Sequence, residues 1–373
     1  MRIGIDARLI NETGVGRYIR NLLEELGRQD SENNFAVFLR KNAYDSMSLP
    51  NSKWEKHLAD VPWHSFREQI VMPYLFLKEN LDLIHIPYFN MPILYPRKYV
   101  ATIHDITILH FDTGRATTLP YVFYKIRRAG YRLVLALGLL RATKIFAVSE
   151  FVKSELVSYF SIPENKILLT YEGIDRRVVS EGNKPITGGD YFLYVGNAYP
   201  HKNIELLIES FIKFLEKIQS KSTIGKVPKL VLVGYEDFFY SRLKQEYSKN
   251  AQRTNIIFFG AATDSQLQSL YKYARGFICP SLMEGFGLPP LEALVNDTPV
   301  IVSDIPVFHE ILKDLPLYFD PHNMDDLVDK IAFVWNNWRE LKNKIAAKKH
   351  TLERFTWSAT ASATLQGYIS SVT

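Results

Sequence analysis

An α/β protein made of two doubly wound parallel domains is what this 373-residue sequence predicts, and three observations carry the prediction. Short apolar runs of strand length alternate with amphipathic helical patterns along nearly the whole chain, the alternation that builds parallel sheets with right-handed crossovers. The alternation pauses once, in the polar stretch DRRVVSEGNKPITGGD at 175–190, and then resumes. The length also exceeds one comfortable hydrophobic core, because cores stop growing near roughly 250–300 residues.

In order, RIGIDAR reads as a strand, and VGRYIRNLLEELGRQ as an amphipathic helix with Tyr18, Ile19, Leu22, Leu23 and Leu26 on one side. NFAVFLR, LDLIHIP, YVATIHD and TKIFAVS follow as buried strands with helices between them. After the pause come YFLYVGN as strand, NIELLIESFIKFLEKI as helix, and KLVLVGY and NIIFFG as strands. SQLQSLYKYA is a helix, and GFICPS, TPVIVSD and LYFDP are the later strands. Two Rossmann-like domains in tandem are expected, 1–180 and 190–355, facing across a cleft, with ligands outside the carboxyl ends of the strands. A closing helix over 356–373, with Trp357 and Tyr368 and preceded by Phe355, either packs on its own domain or crosses back to the first.

Composition narrows the function. Hydrophobic content of 47% and charged content of 23% are ordinary for a globular chain, and no fixed-period repeat is present. The lone Cys279 can form neither an internal disulfide nor a cysteine zinc cage, which suits a reducing cytoplasm; between Ile278 and Pro280 it reads as a small buried hydrophobe. MRIGIDARLI lacks the apolar run of a signal peptide, and the longest apolar stretch, YRLVLALGLL, falls short of the roughly 20 residues of a membrane span. A cytoplasmic protein, peripheral at most, is expected.

A net charge of +5 is too small to argue for nucleic acid. It is uneven, however. Between Arg115 and Lys144, Lys125, Arg127, Arg128, Arg132 and Arg141 interleave with Tyr121, Phe123, Tyr124 and Tyr131, with no acidic residue. Such a helix either lies on an anionic membrane or is simply a solvated face.

The chemistry gathers in loops at predicted strand ends. PSLMEGFGLPPLEAL, 280–294, runs from a strand through a glycine loop into a helix that Pro290 can start. Gly285 and Gly287 let backbone N–H groups approach a ligand, and a helix N-terminus favours phosphate. Carboxylates repel phosphate but accept from sugar hydroxyls, so Glu284 and Glu292 beside a phosphate site point to a sugar nucleotide. The bland alternatives are a solvated loop for Glu284 and first-turn dipole stabilisation for Glu292. In YVGNAYPHKN, Gly196 precedes Lys202 at the start of a helix, a second phosphate signal. NETGVGRYIR joins strand to helix through Gly14 and Gly16 but lacks the third glycine of a dinucleotide fingerprint. TIHDIT places His104 and Asp105 at a strand end, where His104 can donate to a sugar hydroxyl or phosphate, or serve as a structural histidine. LLTYEGID puts Glu172-Gly173 at another.

In this order, the glycine loop, IHD, AVSE, YEGID, VGNAYPHKN and PSLMEGFGLPPLEAL resemble the retaining GT-B glycosyltransferases of family 4, over nearly the whole chain. The most specific piece is the pair of glutamates separated by seven residues, Glu284 and Glu292, with GFG inside it. The resemblance implies that Glu284 meets donor-sugar hydroxyls, that Phe286 and Gly287 offer main-chain N–H groups, and that Glu292 holds the ribose. It implies that Lys202 stabilises the diphosphate and that His104 lies beside the transferred sugar. Gly14, Gly16, Gly196, Asn197, Gly285 and Leu288 complete the donor site. Two positions depart from the pattern. Asn197 stands where many relatives carry Arg, leaving His201 or Arg17 to supply positive character. Asn296-Asp297 replaces the usual small-residue–Gly turn, which Asn can sustain in left-handed geometry.

The expected activity is transfer of a hexose, mannose favoured, from a nucleoside-diphosphate sugar, GDP-mannose favoured, with retention. The expected acceptor is a hydroxyl of a glycan or lipid-linked glycan in bacterial surface polysaccharide synthesis. No cofactor and no metal are expected, since no Asp-x-Asp triplet occurs and Lys202 can neutralise the leaving group. A sugar-nucleotide epimerase of the same fold, or a non-catalytic nucleotide-binding module, is the alternative.

Overall fold

In the computed structural model, the described residues are 1–63, 65–111, 121–174, 190–220, 227–247 and 255–372, with the side chains of 108, 121–124, 126 and 127 left out. The polar stretch read as a linker therefore lies outside the described residues except at its last position. Arg115 and the side chains of Tyr121, Phe123, Tyr124 and Arg127 lie outside them too. The chain divides into two compact units: Met1–Leu109, Leu119–Gly173 and Phe355–Thr373 form the first, His110–Thr118 and Ile174–Arg354 the second.

The first unit runs β1 (Arg2–Asp6), α1 (Gly14–Gln29), β2 (Asn34–Leu39), α2 (Lys41–Ser46), β3 (Trp54–Leu58), α3 (Glu68–Lys78) and β4 (Leu83–Ile86). It continues with β5 (Tyr99–Ile103), α4 (Thr107–His110), α5 (Tyr121–Arg141), β6 (Lys144–Ala147), α6 (Glu150–Phe160) and β7 (Ile167–Leu169). Its parallel sheet has the order β3-β2-β1-β4-β5-β6-β7, so the chain winds outward in both directions from β1 and β4. The apolar runs became strands because they are buried on both faces, as parallel strands under helices must be. Edge strand β3, WEKHL, carries polar residues on its outer positions and is missing from the sequence reading.

The second unit runs β8 (Tyr191–Val195), α7 (Ile204–Gln219), β9 (Lys229–Val233), α8 (Phe238–Tyr247), β10 (Ile256–Gly260) and α9 (Asp264–Tyr273). Then come β11 (Gly276–Cys279), α10 (Leu288–Val295), β12 (Val300–Ser303), α11 (Pro306–Leu312), β13 (Leu317–Phe319) and α12 (Met324–Lys348). Its parallel sheet has the order β10-β9-β8-β11-β12-β13. The order reverses between β8 and β11, and a crevice opens at the carboxyl ends of two strands whose crossovers part to opposite sides. Phe192, Leu207, Phe211 and Leu232 form its core with Ile331 and Val334 of α12.

The last helix, α13 (Trp357–Val372), belongs to the first unit. Tyr368 is buried against that unit's sheet, and its hydroxyl meets His85 Nδ1 at 2.7 Å. His85 Nε2 lies 2.8 Å from Thr102 Oγ1, which in turn meets the Tyr18 hydroxyl at 3.1 Å. Burial, with the charge of His104, pushes His85 down to about 3, so it is a neutral bridge that anchors α13 to β4 and β5.

Candidate active site

In the second unit, the exit of β8 is held by its neighbour. Gly196 N–H donates to Val233 at 2.9 Å, and the Tyr240 hydroxyl donates to the Gly196 carbonyl at 2.9 Å. A Cβ on Gly234 would come within 2.1 Å of that same oxygen, which accounts for the glycine there. The Tyr194 hydroxyl donates to the Asn197 carbonyl at 2.7 Å. Pro200–Lys202 then form one tight 3₁₀ turn, and left-handed Asn203 (φ 57°) opens α7. Lys202 thus lies two residues ahead of the first helical residue.

The exit of β11 meets this turn directly. Leu282 N–H donates to the His201 carbonyl at 2.7 Å. Across that stitch Lys202 Nζ reaches Glu284 Oε1 at 2.7 Å, and the Ser281 hydroxyl donates to the same oxygen at 2.7 Å. Burial pushes the Glu284 carboxyl up, but the Lys202 ammonium and the hydrogen bonds from Lys202 and Ser281 outweigh it and hold the group below the usual range. Glu284 is therefore an ionised, paired carboxylate rather than a solvated loop residue; its side chain is 16% exposed. Cys279 is buried next to it, and burial together with Glu284 raises its thiol to about 12, which makes it an inert hydrophobe.

Helix α10 begins two residues earlier than Pro290 suggests. Gly287 is its N-cap at φ +94°, a left-handed conformation that an added Cβ would also bring to 2.7 Å from Phe308. Pro289 and Pro290 occupy early positions where the missing N–H leaves no bond unmade. Glu292 is consequently the fifth helical residue, and no acidic residue lies in the first turn. That removes the dipole explanation. It is 1% exposed and accepts from the Tyr271 hydroxyl at 2.9 Å. Gly285 and Phe286 are buried and Leu288 is half-buried beside the cap. At the far end the left-handed turn falls on Asp297 (φ 60°), not on Asn296, whose φ is −87°.

In the first unit, His104 follows β5 and is 14% exposed. Its Nδ1 lies 2.7 Å from Glu172 Oε1 and its Nε2 lies 3.1 Å from the Pro87 carbonyl. Asp105 is half-buried and accepts from Thr107 N–H at 2.8 Å. Gly14 and Gly16 are the first and third residues of α1, not loop residues. A Cβ on Gly16 would lie 2.6 Å from the Ile10 carbonyl, so backbone packing explains it, whereas Gly14 is exposed and has nothing within 4 Å of an added Cβ.

Each unit thus assembles its own part of the predicted set: Gly196, Asn197, Lys202, Glu284, Gly285, Phe286, Gly287, Leu288 and Glu292 on one, His104, Gly14 and Gly16 on the other. Chemically, the second unit pairs a cation with a carboxylate beside a helix N-terminus, able to neutralise an anion and to accept from hydroxyls. Ser281 and Tyr271, which hold Glu284 and Glu292, escape the sequence reading because nothing local marks a hydroxyl as a partner across a loop or a helix. Among the described residues no cluster of three or more His, Cys, Asp or Glu side chains is placed to hold a metal ion. None of the described helices is long and apolar enough to cross a membrane.

Comparison with known proteins follows the same division. Residues 175–351 match the family of glycosyl transferases group 1, and residues 13–178 match glycosyltransferase family 4. The chain is similar to the O-antigen chain mannosyltransferase RfbU of Salmonella typhimurium, with 29% identity over 77% of this chain and 75% of that protein. It is similar to the O-antigen chain mannosyltransferase B of Escherichia coli, with 26% identity over 95% and 96%. Among solved structures, the sucrose-phosphate synthase of Thermosynechococcus elongatus has a TM-score of 0.75 at 19% identity, covering 99% of this chain and 98% of that one. Anabaena HepE in complex with UDP-glucose has a TM-score of 0.74 at 14% identity, covering 99% and 100%. Two tandem parallel-sheet units, the paired loops at the exits of β8 and β11, and both family matches lead to one assignment: this chain belongs to the group 1, family 4 glycosyltransferases of GT-B fold.

Proposed function

We propose that this glycosyltransferase moves a hexose, mannose favoured, from a nucleoside-diphosphate sugar, GDP-mannose favoured, to a hydroxyl of a glycan acceptor in bacterial surface polysaccharide synthesis. The observation that carries the reading is the Lys202–Glu284 pair at the switch point of the second sheet. A diphosphate needs the ammonium and helix-end N–H groups, and a sugar needs the carboxylate as acceptor. The mannosyltransferases named above support the choice of sugar and pathway.

In this mechanism Lys202 and the main-chain N–H groups of Phe286 and Gly287, at the cap of α10, take up the charge that develops on the departing diphosphate, without a metal ion. Glu284 fixes the sugar through its hydroxyls, Glu292 holds the ribose, and His104 donates to the transferred sugar. The bond from the anomeric carbon to the diphosphate oxygen breaks as the acceptor oxygen bonds on the same face; the acceptor's proton leaves with the diphosphate. The test is incubation with GDP-mannose, UDP-glucose and dTDP-rhamnose, with and without a lipid-linked glycan. Acceptor-dependent transfer from GDP-mannose with an unchanged anomeric configuration is expected. An inverted product, or a converted sugar nucleotide without acceptor, overturns the reading.

A lipid-linked acceptor would be met at the inner face of the cell membrane. Helix α5 offers a docking surface for anionic lipid: Leu133, Leu137 and Leu140 are exposed at i, i+4 and i+7, with exposed Lys125 and Arg132 on the same helix. The arginines also have local work. Arg128 and Arg132 donate to the Leu109 carbonyl at 3.3 and 3.0 Å, and Arg141 donates to Tyr95 at 2.8 Å. The apolar stripe is therefore the stronger support for membrane contact.

A further inference from the structure

Three strand ends of the first unit converge on His104. Nδ1 faces a carboxylate oxygen of Glu172 at 2.7 Å, after β7, and Nε2 faces the Pro87 carbonyl at 3.1 Å, after β4. The Tyr18 ring, T-shaped to the imidazole, closes a third side at 4.7 Å and 80°. An ionised carboxylate and a carbonyl can only accept, so the imidazole completes both contacts only with a hydrogen on each nitrogen.

Glu172 is itself held. It is 6% exposed. The next residue, Gly173, lies so close to the start of α13 that a Cβ there would come within 2.1 Å of Trp357 N and 2.5 Å of Thr356 C. The preceding Tyr171 carbonyl accepts from Thr360 Oγ1 at 2.6 Å, and the Tyr171 ring meets Phe355 at 5.5 Å and 82°. The backbone that carries the carboxylate is thus held on both sides by the last helix and the two residues before it.

We propose that Glu172 is the positioning residue for His104: its carboxylate fixes the ring and keeps it a donor at both nitrogens, so that Nε2–H can pass from the Pro87 carbonyl to a hydroxyl oxygen of the transferred sugar. The inference rests on the sugar-facing role of His104 argued above. A plain structural ion pair would stabilise the unit but leave turnover alone. The isosteric amide separates the two. Glu172→Gln keeps the shape, yet its NH₂ can donate to a bare Nδ1; the ring then keeps Nε2–H but loses its positive charge, and with it the charge-assisted strength of the hydrogen bond that Nε2–H offers the sugar.

The experiment uses full-length protein with ¹⁵N-labelled histidine, the His104→Ala variant assigning the resonance among the nine histidines. Wild type is expected to show both ring nitrogens of His104 protonated, and Glu172→Gln a bare Nδ1. Turnover of Glu172→Gln is expected to fall roughly 10–100-fold in kcat with the donor KM within about twofold, the range seen when a group orienting a functional histidine is lost. In a His104→Ala background the same change is expected to cost nothing further, because Glu172 acts through that ring. A bare Nδ1 in wild type, a wild-type kcat in Glu172→Gln, or an undiminished loss in the His104→Ala background overturns the proposal. If His104→Ala alone turns over normally, it is the sugar-facing role of His104 that fails, while the ring spectra still decide whether Glu172 sets its protonation.

Discussion

Replacing Lys202 by Met removes a charge while keeping the side chain's length, and it should expose two separate consequences. The first is stability. At 2.7 Å the Lys202–Glu284 attraction is about 6 kcal/mol at an effective dielectric near 20, most of it offset by the desolvation of both groups. Ser281 still donates to Glu284 after the change, so a net loss of about 2 kcal/mol is expected at neutral pH. The pH dependence carries the sharper test. In wild type the Glu284 carboxyl is held below its ordinary value, so its contribution is present above the unfolded carboxylate value and lost as pH falls through the folded one. In Lys202→Met, burial dominates and raises the carboxyl. The folded state then prefers it protonated, and the penalty disappears on acidification. The gap in melting midpoint between the two proteins should accordingly be widest near neutrality and close as pH falls below roughly 4.5.

The second consequence is catalytic. On the proposed mechanism Lys202 meets charge that grows in the transition state, so kcat should fall roughly 100- to 1000-fold, equivalent to about 3–4 kcal/mol of barrier. Melting curves from pH 3.5 to 8, read with steady-state rates near neutrality, measure both on one preparation. A melting gap that stays constant with pH would refute the coupling to Glu284. A wild-type rate would refute the role at the diphosphate.

Three more outcomes are expected. Activity in excess EDTA should match activity with Mg²⁺ or Mn²⁺ added; loss restored by either ion would overturn metal independence. The protein should co-sediment with anionic but not neutral liposomes, less so as salt rises, and Ser at 133, 137 and 140 together should weaken that binding without changing donor affinity. Equal binding to both lipids, or to neither, would return α5 to a solvated face. Arg8→Met should lower the melting midpoint by about 6 °C or more, because it strips the guanidinium that binds Asp6 at 2.7 and 2.8 Å and Glu68 at 2.5 Å, leaving two buried carboxylates facing each other. Since one of them can then take up a proton, the loss should ease on acidification, and a pH-independent loss would contradict this account.

The two-sheet architecture was legible in the sequence because parallel strands buried on both faces read as uninterrupted apolar runs, as in GFIC and VIVS. The edge strand WEKHL broke that pattern, since one side of an edge meets water, and it was overlooked for that reason. The loop residues of the second unit were legible for a different reason: glycines and prolines announce backbone geometry locally, as the φ of Gly287 illustrates. Partners distant in sequence were not. Nothing within YEGID says that its carboxylate meets a histidine 68 positions earlier, or that Gly173 is glycine because the last helix passes over it. Asn296 and Asp297 show the limit at a single residue: both tolerate left-handed backbone, and only the carbonyls of Leu294 and Ala293, accepting from Asp297 and Thr298, select the second.

The pairing of Lys202 with Glu284 has a consequence for how a sugar nucleotide would be recognised. On the proposed reading the two side chains serve different parts of one donor, the diphosphate and the sugar hydroxyls. Paired with each other, neither of these largely buried charges is left without a partner. A complete sugar nucleotide exchanges this contact for two, ammonium to phosphate and carboxylate to hydroxyl. A nucleoside diphosphate lacking the sugar offers only the first, and drawing Lys202 away would leave Glu284 with the Ser281 hydroxyl and the weak donor Cys279 Sγ at 4.0 Å. Leaving a buried carboxylate short of a partner is costly. The pair therefore favours the intact donor over the product that carries no sugar, and Glu284→Gln should narrow that preference, because a neutral amide loses less when Lys202 departs. The ratio of the Kd for GDP to the Kd for GDP-mannose, taken in wild type and in Glu284→Gln, reads this directly. An unchanged ratio would mean that Glu284 serves only to hold Lys202 in place, and that the discrimination between donor and product lies elsewhere in the second unit.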